Sequence, residues 1–279
     1  MKVVRHSDPD AFLAAATPMA ARGEASASFF ITWAHAMKRT PPSAAERVYM
    51  ATCSDGAVMG AAIQRDEGPV IIGRSDIAAA RAFAADLAGD LPALCGVMGS
   101  PAPAEAFAQT WSALTGRGHR VRVRLLQHRL GAVNEVPRAP GAARVATEAD
   151  LDWLAARHAA FIVETGVHDS PERVAAMLPR RVSRGDFRIW EDGARVAFVG
   201  YNDAAPEFAR VAPVYTEPDR RRRGYATALV ALLSRELIAR GKRALFLTTD
   251  AANPVSNSVY ARIGYRVESD DCALDFVSP

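Results

Sequence analysis

The residues with the clearest chemical potential are Arg221-Arg222-Arg223-Gly224-Tyr225-Ala226. They fall between a strand-like run, Arg210 to Thr216, and an amphipathic helical pattern from Ala226 to Arg240. A tight turn there opens backbone N–H groups onto a helix N-terminus, a setting that binds phosphate or pyrophosphate without any particular side chain. Gly224 permits positive φ or close backbone approach, and Ala226 is small where the helix begins. The arginines add positive potential and paired donors for phosphate oxygens. Leu229, Leu233 and Leu237 follow at fourfold spacing and bury one helix face. Arginine runs also occur as solvated basic loops or nucleic-acid patches. The Gly and Ala at fixed offsets between strand and helix favour the phosphate.

A second constellation runs from Thr249 to Tyr265. Asn253 is a good N-cap and Pro254 suits the first helical position. Asn257 and Tyr260 lie three apart and share a helix face. Tyr260 can thus present its hydroxyl to a ligand lying between this helix and the preceding one. A phenol with a pKa near 10 is a plausible proton donor to a departing thiolate. Spacing alone equally allows a core tyrosine with a satisfied hydroxyl.

Taken together, Arg221 to Ala226, then Asn253-x-x-x-Asn257-x-x-Tyr260-x-x-x-Gly264-Tyr265, resemble the GNAT superfamily of acyl-CoA-dependent N-acetyltransferases. The turn is similar to that family's Gln/Arg-x-x-Gly-x-Gly/Ala pyrophosphate loop. The resemblance covers about residues 143 to 279 and is strongest from Arg210 to Val267. It implies that the backbone of Arg221, Arg222, Arg223, Gly224, Tyr225 and Ala226 holds the pyrophosphate of coenzyme A. It implies that Val214, Tyr215 and Thr216 run beside the pantetheine arm, admitted by a splay between this strand and Leu245 to Thr248. Pro213, which lacks an N–H, fits an interrupted strand there. The resemblance further implies that the Val214 N–H polarises the acetyl carbonyl, Asn253 contacts the arm, and Tyr260 protonates the leaving thiolate. Asn257 joins the cofactor set.

The acceptor amine must lose a proton, to a carboxylate or a water chain. Glu164 is the candidate, just after the first helix of the second half, where such families place acceptor-binding residues. His168 is nearby. Phe161, Trp190 and Glu191 are candidate pocket walls or simply core and turn residues, and Glu217 is a candidate surface charge beside the loop. No cysteine lies in either motif, which argues for direct transfer without a thiol intermediate.

These residues need elements to position them. In the C-terminal half, Thr147-Glu148-Ala149-Asp150 reads as a capped helix start, and Phe187–Trp190 and Val196–Val199 as a hairpin. The strand ending at Thr216, the arginine turn and the helix to Arg240 come next, with Gly241 as a stop. A strand Ala244–Thr249, a helix Pro254–Ile263 and a strand from Tyr265 follow. The N-terminal half runs in the same order. It has strands near 48–51, 58–61 and 69–72, a helix at 77–87, a strand near 93–98, a helix near 104–114 and a strand at 119–126. After Ile72 stands Gly73-Arg74-Ser75-Asp76, without Arg-x-x-Gly-x-Ala. If the fold is repeated, the phosphate site is not.

The pattern therefore predicts an α/β (α+β) chain of two GNAT-like domains, each a mixed, mostly antiparallel twisted sheet flanked by helices. Residues 1–136 form a degenerate copy, 137–142 a polar Pro- and Gly-containing linker, and 143–279 the acetyltransferase domain.

Composition narrows the partners. Among 279 residues, 49% are hydrophobic and 23% charged, enough for packed cores and against global disorder. A net charge of +3 is too weak to argue for nucleic acid or membrane. The three cysteines, Cys53, Cys95 and Cys272, have neither disulfide-framework nor zinc spacing, so no metal is expected. The N-terminus has no apolar leader, and no run approaches about 18 apolar residues, so a cytoplasmic protein is expected. The expected cofactor is acetyl-CoA as co-substrate. The expected partner is a small-molecule amine or peptide acceptor, the protein being a monomer or homodimer. The alternative is a non-catalytic acyl-CoA-binding regulatory protein.

Overall fold

The computed structural model describes residues 1–42, 46–91, 93–203 and 205–277. The first half of the chain lays down β1 (Lys2–Arg5), α1 (Pro9–Ala16), α2 (Glu24–Arg39), β2 (Val48–Asp55), β3 (Ala57–Arg65), β4 (Val70–Gly73), α3 (Ile77–Ala88), β5 (Gly96–Gly99), α4 (Pro101–Thr115) and β6 (Gly118–Leu130). The second half repeats that order. It has β7 (Ala142–Val145), α5 (Leu151–Thr165), α6 (Pro171–Ser183), β8 (Phe187–Glu191), β9 (Arg195–Asn202), β10 (Phe208–Thr216), α7 (Tyr225–Ala239), β11 (Ala244–Asp250), α8 (Pro254–Ile263) and β12 (Tyr265–Val277).

Two compact units result, interleaved in sequence. One comprises Met1–His128, Thr248–Asn253 and Val267–Pro279; the other comprises Arg129–Leu247 and Pro254–Arg266. Both are mixed α/β, with a mostly antiparallel sheet flanked by helices. In the first unit the strand order begins β1-β2-β3-β4-β5. Its next strand is the last of the chain, with Cys272–Asp275 of β12 antiparallel to Gly99–Gly96 of β5. In the second unit the order is β11-β10-β9-β8-β7. Among the described residues β4 pairs with β5, and β10 with β11, in parallel.

Burial follows the sequence pattern. The Ala-rich α3 packs Ala79, Ala80, Phe83, Ala84 and Leu87 into the first core. There Phe107 stacks on Trp111 at 6.0 Å, and Trp111 on Phe276 at 5.4 Å. In the second unit Leu229, Leu233 and Leu237 of α7 are fully buried against Val199, Val211 and Leu245. Each such leucine contributes roughly 1.5–3 kcal/mol by leaving water. The opposite face of that sheet has its own core, in which Leu154, Val174, Leu178 and Val182 of α5 and α6 cover Phe187, Ile189, Phe198 and Tyr215. The expected helix start before α5 is a capping box, with Thr147 and Asp150 hydrogen-bonding each other's backbone N–H.

Three helices have weak sequence signals. α1 and α2 lack a clean 3.6-residue stripe, since α2 buries Ser26, Ser28 and Thr32 beside its apolar residues. α6 contains Pro179, but Ser170 accepts from the Arg173 N–H and Pro171 occupies the first turn, so the start is well capped.

Candidate active site

The arginine loop follows β10 and precedes α7. Thr216 ends the strand, Glu217 precedes a short 3-10 turn that spans Pro218–Arg220, and Gly224 is the N-cap of α7 at φ 84°. Arg222 also has positive φ, at 64°. A Cβ on Gly224 would meet nothing nearer than Ala139 at 3.9 Å, so glycine is required by backbone conformation and not by crowding. The first helical bond is from Ala228 N–H to the Gly224 carbonyl, at 3.0 Å. Among the described residues no hydrogen bond closes onto the backbone N–H groups of Arg221 through Thr227. Gly224 supplies no side-chain cap. A row of free amides at a helix N-terminus, with alternating backbone hand, forms an anion-binding concavity.

The side chains of the loop divide their work. Arg222 and Arg223 are exposed. Arg221 donates to both carboxylate oxygens of Glu164, at 2.9 and 2.8 Å, and to the Thr216 carbonyl at 3.1 Å. Its guanidinium lies 5.6 Å from the centre of the Tyr215 ring. Tyr225 points into the core beside Trp190, and its hydroxyl donates to Asp192 in the β8–β9 turn, which raises its pKa. Ala226 is half-buried.

The corresponding turn in the first unit is closed. Only Arg74, Ser75 and Asp76 separate β4 from α3. The Ser75 N–H bonds the Ile72 carbonyl and the Asp76 N–H bonds the Met59 carbonyl, at 3.3 and 2.8 Å. The parallel ladder beside it runs to the end of β4, with Gly73 opposite Gly99. The Ser100 N–H then reaches the Gly73 carbonyl at 3.0 Å.

In the second unit the parallel ladder is short. Phe208, Ala209 and Arg210 pair with Ala244, Leu245 and Phe246, and within this unit it stops there. β10 continues against β9 alone, with Val214, Tyr215 and Thr216 opposite Val199, Phe198 and Ala197. The register shifts between Val211 and Val214, which places Pro213 in a bulge, one of the few sheet positions that tolerate proline. Gly200 makes room, since a Cβ there would come within 3.0 Å of the Pro213 ring. Val214 faces the α7 core, and Tyr215 faces the α5 core. Burial, with Glu164 and Glu217 nearby, raises the Tyr215 pKa.

Asn253 is exposed and directly precedes α8; its N–H bonds the Asp250 carbonyl at 3.1 Å. Asn257 is half-buried on the same helix. Tyr260 is 9% exposed and packs edge-on to Tyr265, ring centres 6.0 Å apart. Burial pushes its pKa up to about 12, opposed by a hydrogen bond with Ser256. The phenol is therefore protonated at every physiological pH.

Glu164 lies in the last turn of α5, and His168 is exposed beyond it. Phe161 is half-buried on the same helix. Trp190 is core, its Nε1 donating to the Pro140 carbonyl at 2.7 Å, while Glu191 pairs with Arg144. Glu217 is held by Arg157. Sequence reasoning missed His158, which is 8% exposed and packed against Phe161 and Phe198, ring centres 6.0 and 6.1 Å away. Its position on the inner face of a helical pattern was legible, but the lack of a hydrogen-bond partner for its buried Nδ1 among the described residues was not. Among the described residues no group of three or more His, Cys, Asp or Glu is placed to hold a metal, and no helix is long and apolar enough to cross a membrane.

The acetyltransferase (GNAT) family model matches residues 151–265. No curated protein matches the chain. Among solved structures, a GNAT-family acetyltransferase from Colwellia psychrerythraea is similar at 12% identity, covering 100% of both chains with a TM-score of 0.58. A GCN5-related N-acetyltransferase from Sphaerobacter thermophilus is similar at 16% identity, over 99% of this chain and 96% of that one, with a TM-score of 0.60. A tandem GNAT protein from the clavulanic acid biosynthesis pathway is similar at 14% identity, over 99% and 98%, with a TM-score of 0.56. At such identities the likeness is one of fold.

Proposed function

The chain belongs to the GNAT superfamily through the domain at residues 151–265, and on that premise we propose that it transfers an acetyl group from acetyl-CoA directly to an amine. The observation that carries this reading is the row of unpartnered backbone N–H groups from Arg221 to Thr227. A diphosphate fits them, because they are consecutive donors at the positive end of α7 with a small residue, Ala226, beside them. The exposed Arg222 and Arg223 add charge-assisted donors.

The thioester supplies an activated acyl carbon. The amine nitrogen bonds to that carbon, the C–S bond breaks, the sulfur gains one proton and the nitrogen loses one. Val214, Tyr215 and Thr216 extend past the end of the parallel ladder, which supports the reading that their backbone holds the pantetheine arm and that the Val214 N–H meets the acyl carbonyl. Asn253 and Asn257 flank the arm at the start of α8. Tyr260, protonated by virtue of its burial, donates to the sulfur. Glu164 takes the proton from the amine on the α5 side. The first unit, whose corresponding turn is closed, serves the fold and not the transfer.

The test is calorimetric. The wild type binds coenzyme A, and Ala226→Glu, which sets a carboxylate beside the diphosphate, weakens it at least tenfold while the far-ultraviolet spectrum is unchanged. Equal affinity in the two proteins means that the loop is misassigned. A protein that binds coenzyme A yet releases no thiol with any amine of a broad panel is a binding module.

A further inference from the structure

The loop that carries the free amides is not held in shape by packing. Arg221, Arg222, Arg223 and Gly224 are exposed, and a Cβ on Gly224 would meet nothing nearer than 3.9 Å. Arg222 and Gly224 nevertheless have positive φ, at 64° and 84°. A left-handed arginine persists only where its surroundings fix it. Side-chain tethers must therefore supply what packing does not. At the start of the loop the tether is Arg221, bound to Glu164 and to the Thr216 carbonyl.

At its end the tether is Tyr225, the first residue of α7. The ring is buried beside Trp190, centres 6.5 Å apart. Phenylalanine would serve that packing as well, so the hydroxyl needs its own explanation. Its single proton goes to the Asp192 carboxylate, and its lone pair takes a hydrogen bond from Arg223. Guanidinium, phenol and carboxylate thus form a chain in which both hydrogen bonds are charge-assisted. Asp192 is itself firmly seated. It is half-buried in the β8–β9 turn, where its N–H bonds the Ala194 carbonyl at 2.9 Å. Directly before it in β8, Glu191 is in register with Ala142 of β7, and Trp190 Nε1 donates to the Pro140 carbonyl at 2.7 Å.

We propose that Asp192 is a positioning residue for the diphosphate of the acyl donor. Acting through Tyr225, it fixes the turn into α7 on which the row of free amides depends, and it holds Arg223 on the loop. The inference rests on the acyl-CoA reading of the domain and adds to it a residue outside the loop, on a different hairpin. Asp192 does not touch the ligand. By charge alone a carboxylate near a diphosphate weakens its binding, so the positioning role and the charge effect have opposite signs.

The test measures coenzyme A affinity by calorimetry at one salt concentration for wild type, Asp192→Ala, Tyr225→Phe, the double variant and Asp192→Asn. Asp192→Ala and Tyr225→Phe each weaken binding about fivefold or more, as a preorganised loop is lost. The double variant is no weaker than the weaker single one, because both remove the same link. Asp192→Asn keeps an acceptor for the Tyr225 hydroxyl and recovers most of the affinity. In steady state the KM for acetyl-CoA rises in Asp192→Ala while kcat stays within about twofold. Equal or tighter binding by Asp192→Ala overturns the proposal, since only the charge effect then remains. Losses that multiply in the double variant overturn it too, as does a lowered Tm with unchanged coenzyme affinity, the mark of a strut for the hairpin alone. If Asp192→Ala fails to fold, Tyr225→Phe decides, and wild-type affinity there overturns the proposal. If no amine is turned over, the calorimetric affinities decide. Failure of the wild type to bind coenzyme A removes the underlying reading, and the inference with it.

Discussion

The guanidinium of Arg221 grips both carboxylate oxygens of Glu164, at 2.9 and 2.8 Å, and so ties the last turn of α5 to the loop that precedes α7. Both side chains are more than 40% exposed, at 43% and 42%, so the pair adds at most about 1 kcal/mol to stability. Its consequence is geometric. Arg221 also donates to the Thr216 carbonyl, so its side chain is engaged within the domain and its backbone N–H is what it offers an anion.

Glu164→Gln separates the two roles of that carboxylate. The amide still accepts one hydrogen bond from Arg221, so Tm changes by no more than a few degrees. Loss of the proton acceptor lowers kcat by about 10²-fold or more. Coenzyme A affinity stays near wild type. A variant with full kcat would leave Glu164 as a strut only, and the amine would lose its proton to water.

Gly224 and Arg222 make opposite predictions from the same cause. Gly224→Ala has steric room, but φ is 84° and an L side chain there costs about 1–2 kcal/mol. Thermal melting should fall by several degrees, and coenzyme A affinity with it. Arg222 already occupies that region at 64°, so Arg222→Gly relieves the conformation and Tm does not drop. It also removes an exposed cation, so coenzyme A binds more weakly and with less dependence on salt. Calorimetry at two salt concentrations reads the second effect. An Arg222→Gly protein with unaltered affinity and salt slope would remove the arginine from the phosphate site.

Tyr260→Phe tests the proposed proton donor. The ring contact with Tyr265 survives, so the fold does too. The expected loss is about 10²-fold in kcat, with little change in KM for acetyl-CoA. The pH profile supplies the independent check. With the phenol pushed to about 12, the wild-type rate should show no fall attributable to this group up to about pH 10, the ordinary tyrosine value. A loss of activity centred near 10 that disappears in Tyr260→Phe would contradict the buried setting.

The elements that hold the loop were legible because their signals are local. Gly224 and Ala226 sit between a β-branched run and a leucine stripe, and α8 begins at Pro254 as its sequence says. The repeat of element order was legible in its second parts, from β2 and β8 onward. α1, α2 and α6 were not, because buried serines, alanines and an internal proline blur a 3.6-residue stripe that tertiary packing later satisfies. Nothing in Val267–Val277 says that its neighbour is β5, since strand partners are chosen by non-local pairing. The Arg221–Glu164 link spans 57 residues, and the unpaired state of His158 is a property of its surroundings; neither leaves a pattern in sequence.

His158 also sets a pH dependence of stability. The folded protein holds the imidazole at about 4, while the unfolded chain returns it to about 6.5. Between those values the unfolded state binds the extra proton, so unfolding free energy rises with pH across the window and is lost as pH falls through it. At the acid end the loss approaches about 3 kcal/mol for this group alone. His6 and His128 are shifted in the same direction by burial, so the wild-type curve is not the measurement. The difference between wild type and His158→Phe is. Urea midpoints taken from pH 7 to pH 4 should fall more steeply for wild type, and the two curves should separate progressively below pH 6.5. Parallel curves would show that His158 is charged, or partnered, in the folded protein.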